Sequence, residues 1–236
     1  MKKKLGIIGG LGPMASAQFM EMLTAMTAAE TDQAHIEAIL YSRPATPDRT
    51  AFLLGKSPDS PLPAMIETGK RLEEMGAEVL AIPCMTAHSF YAQLQDAFQA
   101  ELINPITGSA SLLKAHGVKR AGIMATDGTL QVGLFQTALT EAGITPVVPD
   151  KESQRDVMRM IYDQVKSGIP ADLETFHAVA HAMRVQGAEY IILGCTELSV
   201  IRQQQKIGTG FLDAMGVLAV NTITACGYPV KGSPID

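Results

Sequence analysis

Of the three cysteines in the chain, Cys84 and Cys195 stand in matching surroundings. Residues 76–88 read GAEVLAIPCMTAH and residues 187–198 read GAEYIILGCTEL. Each thiol follows Gly-Ala-Glu by the same interval, closes an aliphatic run and has a threonine within two positions. A carbon acid held between two thiols can lose a proton to one and gain a proton from the other on its opposite face, which inverts its configuration. This chemistry needs one thiolate and one thiol at any moment, and a free pKa of about 8.5 keeps both forms accessible near neutral pH. A helix starting just beyond each cysteine would favour the thiolate, and its free amides could hold a carboxylate. Thr86 and Thr196 add hydroxyl groups at the same two places, and Glu197 and His88 are candidates to orient groups or relay protons.

The elements that must position these residues are written twice. KKKLGIIGG opens the chain as VKRAGIMAT opens its second half, with Gly6-Ile7-Ile8 matching Gly122-Ile123-Met124. Beyond each cysteine comes a helix-compatible segment and a further short apolar run, ELINP at 101–105 and TGFLD at 209–213. The runs LGIIG, EAILYS, EVLAIP, AGIMAT, TPVVP and YIILG alternate with amphipathic stretches, the pattern of βα units in a parallel sheet covered on both faces. The expectation is an α/β protein of two pseudo-symmetric doubly wound domains, each with a parallel four-stranded sheet. Residues 1–105 with 214–236 would form the first and residues 106–213 the second, because AMGVLAVNTITACG is the counterpart of the helix at 106–116 and can return to the first domain. LLGKSPDSPLP at 53–63 is the one long loop and a candidate lid. Open parallel sheets bind ligands beyond the carboxyl ends of their strands, so two facing halves would bring both thiols to one cleft.

Composition narrows the alternatives. A formal charge of −5, no tryptophan and 5% aromatic residues offer neither a basic track nor a stacking platform for nucleic acid. The three cysteines lack CxxC spacing and paired histidines, which argues against a disulfide framework or structural zinc and suits a reducing, cytoplasmic compartment. The start, MKKKLGIIGGLGPMASA, imitates a secretory signal, but four glycines and a proline interrupt its apolar stretch, so it reads as a first strand and loop. No run approaches the roughly 18 apolar residues of a membrane span. Gly10, Gly12 and Ala15 fit a loose dinucleotide-binding pattern, yet Pro13 interrupts it and the second strand ends in Ser42 and Arg43 instead of an acidic residue. His177 and His181 share a helix face without a third ligand, and Cys226 sits in an apolar helix and reads as core.

GIIGGLGPMAS, PDRTAFL, PCMTAH, ATDGT and LGCTEL, in this order along nearly the whole chain, resemble the cofactor-independent aspartate/glutamate racemases, most closely the aspartate racemase branch. The resemblance implies two pseudo-symmetric domains, a cleft active site using Cys84 and Cys195, a small amino acid substrate, no pyridoxal phosphate, no metal and a homodimer. It further implies that Arg49 and Lys166 hold substrate carboxylates, with Leu11, Thr86, Thr126, Thr129 and Thr196 supplying polar or backbone contacts around them. The chain departs from the family motif Cys-Asn-Thr-Ala-His at Met85, whose thioether cannot replace an amide that donates and accepts. Either the backbone N–H of residue 85 makes the contact, or the substrate is not a plain acidic amino acid. A hydantoin racemase, a maleate-type isomerase, a decarboxylase and a two-lobed binding protein are the remaining alternatives.

Overall fold

The alternation of aliphatic runs with amphipathic stretches resolves into two parallel sheets in the computed structural model, which describes residues 1–235. Strands β1 (Leu5–Gly9), β2 (Ala38–Ser42), β3 (Val79–Ala81) and β4 (Glu101–Leu102) lie side by side in the order β2-β1-β3-β4. Strands β5 (Arg120–Met124), β6 (Thr145–Val147), β7 (Tyr190–Leu193) and β8 (Phe211–Asp213) repeat the arrangement as β6-β5-β7-β8. All strand pairings named here are parallel. The inner strands β1 and β3 are wholly buried, as strands covered on both faces must be. The segment that imitates a signal is therefore the central strand β1 and the loop after it.

Helices α1 (Pro13–Met26), α2 (Arg49–Leu53), α3 (Leu62–Glu74) and α4 (Tyr91–Ala97) accompany the first sheet, and α5 (Pro105–Ala115) leads to the second. There α6 (Asp127–Val132), α7 (Leu134–Glu141), α8 (Lys151–Arg159), α9 (Leu173–Val185) and α10 (Thr196–Gln204) follow, and α11 (Ala214–Ala225) comes last. The long loop spans residues 54–61, between α2 and α3. Among the described residues no helix is long and apolar enough to cross a membrane.

The repeated Gly-Ala-Glu has a structural cause. Gly76 and Gly187 both carry φ of 92°, the left-handed conformation that ends a helix at least cost with glycine. In each copy the alanine that follows donates back into the helix, Ala77 N–H to Leu72 O at 3.0 Å and Ala188 N–H to Met183 O at 3.1 Å. The glutamate then launches the strand, Glu78 N–H donating to Lys4 O and Glu189 N–H to Arg120 O, both at 2.9 Å. The motif thus fixes where β3 and β7 begin, and the cysteines emerge at the far ends of those strands.

The runs at 101–105 and 209–213 form shorter strands than their hydrophobicity suggests. At the end of the first, the Asn104 side chain accepts from the N–H groups of Ile106 and Thr107 and starts α5; at the end of the second, Asp213 accepts from Met215 N–H and starts α11. The capping residue ends the strand because its side chain satisfies amides at the start of a helix. One core cluster gathers residues of β1, β3, α1, α5, β5, α7, β7 and α11 and so runs across both sheets. Helix α11 packs on α5 and α1. The chain beyond it returns to the end of α1, where Ala28 N–H donates to Pro229 O and Lys231 N–H to Met26 O.

Gly6 and Gly122 occupy equivalent places against the α3 and α9 ends. A Cβ on Gly6 would lie 2.7 Å from a Leu80 methyl, 2.9 Å from the Ala77 Cβ and 3.0 Å from the Leu72 Cβ. On Gly122 the nearest atom, at 2.9 Å, is the far end of the flexible Met183 side chain. Overpacking of this kind costs about 1–3 kcal/mol. Gly6→Ala should therefore lower the denaturant midpoint more than Gly122→Ala; equal or absent shifts in a circular-dichroism titration would contradict this packing.

Candidate active site

At the carboxyl ends of the strands, the loops of both sheets close over a small cavity. Leu11 enters it from the loop after β1, Asp48, Arg49 and Thr50 from the start of α2, and Cys84, Met85 and Thr86 from beyond β3. The second sheet supplies Thr126 after β5, Tyr162 and Lys166 after α8, and Cys195, Thr196 and Glu197 after β7. Both thiols are free and nearly enclosed, Cys84 at 7% and Cys195 at 6% exposure.

Each cysteine is the residue that precedes a helical turn. Cys84 caps the 3₁₀ segment Met85–Phe90 and Cys195 caps α10, and neither start has a side-chain cap, so the first amides of each turn are left to other partners. Arg49 lies beside Cys84. Its guanidinium donates to Leu11 O at 2.8 Å, Pro47 O at 2.9 Å and Thr46 O at 3.3 Å, while its Nε is buried without a partner. Burial works against the Arg49 charge, and Cys84 together with Asp48 and Tyr162 more than offsets it.

On the opposite side Cys195 Sγ donates to Glu197 Oε2 at 2.8 Å, and Glu197 Oε1 is ion-paired with Lys166. Burial, then the Glu197 carboxylate, push the Cys195 thiol well above its ordinary range, with Lys166 opposing. Burial also acts to raise Glu197, but Lys166 and the thiol hydrogen bond hold it below the usual carboxylate range. The same pairing lifts Lys166 despite burial. In this state Cys195 is a protonated thiol and Glu197 is charged.

Three threonines tie the halves together. The hydroxyls of Thr86, Thr126 and Thr129 form a closed triangle with sides of 3.0 to 3.1 Å. Thr86 and Thr126 reach the cavity, whereas Thr129 is fully buried behind them and lies outside its lining. His88 is likewise outside the lining. Its Nδ1 lies 3.0 Å from the Cys84 carbonyl oxygen, and burial pulls its pKa down to about 4, so the neutral ring steadies the Cys84 backbone. Met85 lines the cavity and packs into the core cluster that joins the sheets.

Sequence reasoning missed Asp48, Thr50 and Tyr162. The first two sit next to Arg49, and Asp48 caps α2 by accepting from Ala51 N–H at 2.6 Å. Tyr162 belongs to a π-helical turn, Met160–Gln164, a rare distortion often found at functional sites. Its ring lies 5.4 Å from Lys166 Nζ, and burial pushes its phenol up to about 12. Its one sequence signal is its place four residues before Lys166. Tyr162 also borders an open outer groove that contains neither thiol.

The glycines of the dinucleotide-like pattern have packing roles. A Cβ on Gly10 would lie 2.3 Å from the Arg43 backbone nitrogen, and one on Gly12 would lie 3.1 Å from Glu197 Oε1. Among the described residues no group of three or more His, Cys, Asp and Glu side chains clusters to hold a metal, and Cys226 is buried away from the cavity.

The family model for Asp/Glu/Hydantoin racemase matches residues 8–222. The broad specificity amino-acid racemase RacX of Bacillus subtilis is 23% identical over 226 residues, which is 93% of this chain and 96% of that protein. The structure of Picrophilus torridus aspartate racemase superposes with a TM-score of 0.84 at 33% identity, covering 97% of this chain and 96% of that one. The glutamate racemase of Francisella tularensis shares the fold at a TM-score of 0.63 and 16% identity, covering 93% and 79%. The two parallel four-stranded sheets, the order of their strands and these likenesses agree: the chain belongs to the Asp/Glu/Hydantoin racemase family, a family of isomerases.

Proposed function

We propose that this chain is a cofactor-independent racemase of a small acidic amino acid, aspartate or glutamate, and that Cys84 and Cys195 exchange the α-proton with the substrate from opposite faces. The observation that carries the reading is the shared cavity: two enclosed thiols at equivalent strand ends of two equivalent sheets, with two cations, Arg49 and Lys166, in the same lining. In this reading each unit of the repeat, residues 1–105 with 214–236 and residues 106–213, presents one thiol. The three unpaired cysteines suit a reducing cytoplasm, and the resemblance adds a homodimer.

The chemistry follows from the groups present. One thiolate removes the α-proton, the electron pair moves into the α-carboxylate, and the other thiol delivers its proton to the opposite face. Charge that develops on the carboxylate is stabilised by fixed donors in a cavity with little water. Arg49, already anchored by three backbone carbonyls, retains a buried Nε to offer, and the first amides of α10 lack a side-chain cap. A decarboxylase would need one proton donor only, so two thiols in one lining favour inversion over it.

Two outcomes test the reading. Proton transfer by a placed acid or base is worth about 10²- to 10⁴-fold. Cys84→Ser and Cys195→Ser should each lose at least that much racemisation of aspartate or glutamate, while the two variants exchange the α-hydrogen of opposite enantiomers with deuterated solvent. Cys226→Ala should racemise normally; near-normal racemisation by either of the other two variants eliminates the two-thiol mechanism. The second outcome concerns Met85, which is 1% exposed. If its backbone N–H holds the carboxylate, Met85→Asn should keep the wild-type substrate preference and lose about 1–3 kcal/mol of stability to a buried amide without full hydrogen bonding. A switch of preference in a chiral chromatography screen would instead make the Met85 side chain the determinant of specificity.

A further inference from the structure

The cavity contains one enclosed carboxylate whose charged partner is a lysine that can leave. Glu197 is 5% exposed, and its oxygens meet Lys166 Nζ on one side and Cys195 Sγ at 2.8 Å and Thr196 Oγ1 at 3.3 Å on the other. Of those partners Lys166 alone is charged. The other acidic residue of the lining, Asp48, is solvent-exposed and committed to capping α2. The threonine hydroxyls at the junction already satisfy one another.

Building on the amino acid reading above, we infer that Glu197 is the receptor for the substrate α-ammonium, and that a zwitterion enters by exchanging into the Lys166–Glu197 ion pair. The ammonium takes over Glu197 while a substrate carboxylate takes over Lys166. One internal ion pair and the α-ammonium and one carboxylate of the substrate thereby become two pairs, and the second carboxylate of an acidic substrate has Arg49 in the same lining, so no charge is left single in an enclosed site, where a lone charge is most costly.

The local backbone permits the exchange. Lys166 stands on a single 3₁₀ turn, Val165–Ser167, between the π-helical turn and Gly168, whose φ is 76°, and its side chain is 27% exposed. Gly12 leaves the space beside Glu197 Oε1 open, since a Cβ there would come within 3.1 Å. The exchange also bears on Cys195. The Glu197 carboxylate opposes a thiolate beside it, and a substrate ammonium seated on Glu197 would replace Lys166 as the cation that balances it. The charged and titratable groups lining the same cavity are Lys166, Glu197, Cys195, Cys84, Tyr162, Arg49 and Asp48. The substrate class follows: a free amino acid with a primary ammonium. A hydantoin has neutral acylated ring nitrogens, cannot replace Lys166 on Glu197, and leaves the internal ion pair in place.

Paired ligands that differ by the ammonium group test the assignment. Calorimetric titrations would use L-aspartate against succinate, or L-glutamate against glutarate if wild type prefers the longer pair, and L-alanine against propionate, with wild type, Glu197→Gln and Glu197→Asp. Glu197→Gln should weaken aspartate by on the order of 10- to 100-fold, the value of a charge-assisted hydrogen bond, while succinate binds as before or more tightly because Lys166 is released. Glu197→Asp should recover part of the loss. An aspartate-to-succinate affinity ratio unchanged by Glu197→Gln, or equal weakening of both ligands, overturns the assignment. If wild type binds alanine and neither dicarboxylate, the acidic-substrate reading fails, and the alanine-to-propionate ratio then decides the role of Glu197. If wild type binds no member of any of these pairs, glutamate and glutarate included, both readings fall.

Discussion

A planar carbanion has two faces, and one side chain cannot serve both without crossing the plane. Inversion by two fixed side chains therefore needs an acid and a base brought to one point from opposite sides. In the proposed reading, the doubled βα architecture is what supplies them. Each sheet ends a central strand, β3 or β7, in a cysteine followed by the first turn of a helix, and the loops of the two sheets enclose the space between. The left-handed glycines at residues 76 and 187 set the starting points of those strands, and the strand lengths then carry the thiols to the cavity.

The two sides correspond in their place on the sheets and differ in electrostatics. Cys84 has an anchored guanidinium for a neighbour, whereas Cys195 has a carboxylate whose charge is balanced by Lys166. A buried charge is tolerable when paired and hydrogen-bonded, and the Lys166–Glu197 pair satisfies this within the chain itself. The proposed ion-pair exchange keeps the balance when a zwitterion enters, and links recognition of the amine to the state of Cys195. The racemase reading and the ammonium assignment thus rest on different atoms of one site.

Much of this was legible in the sequence. The βα alternation, the parallel sheets and the pairing of Cys84 with Cys195 followed from the Gly-Ala-Glu repeat and the aliphatic runs, because buried parallel strands leave a strong one-dimensional pattern. Lys166, expected as a binding cation, does line the cavity, but its partner is Glu197 across 31 positions of sequence, a contact without a local signal. Thr129 and His88 carried the right motif and lie one layer behind the cavity, since a motif fixes spacing along the chain but not which side chain faces inward. Tyr162 was missed because its π-helical turn depends on how α8 runs into the loop, which periodicity does not record. The short β4 was overextended because Asn104 caps the next helix, and β8 because Gly208 and Gly210, with φ of 80° and 83°, keep the chain out of the strand until Phe211.

The most direct measurement of the central claim is the fate of the α-hydrogen during the first few per cent of reaction in deuterated water. Each pure enantiomer of aspartate or glutamate would be supplied to the wild-type protein, and product and remaining substrate separated on a chiral column and analysed by mass spectrometry. Two thiols on opposite faces predict that the product enantiomer carries solvent deuterium while the remaining substrate stays protiated, in both directions. A product that retains the substrate's own hydrogen, in either direction, would show one base serving both faces and would contradict the account.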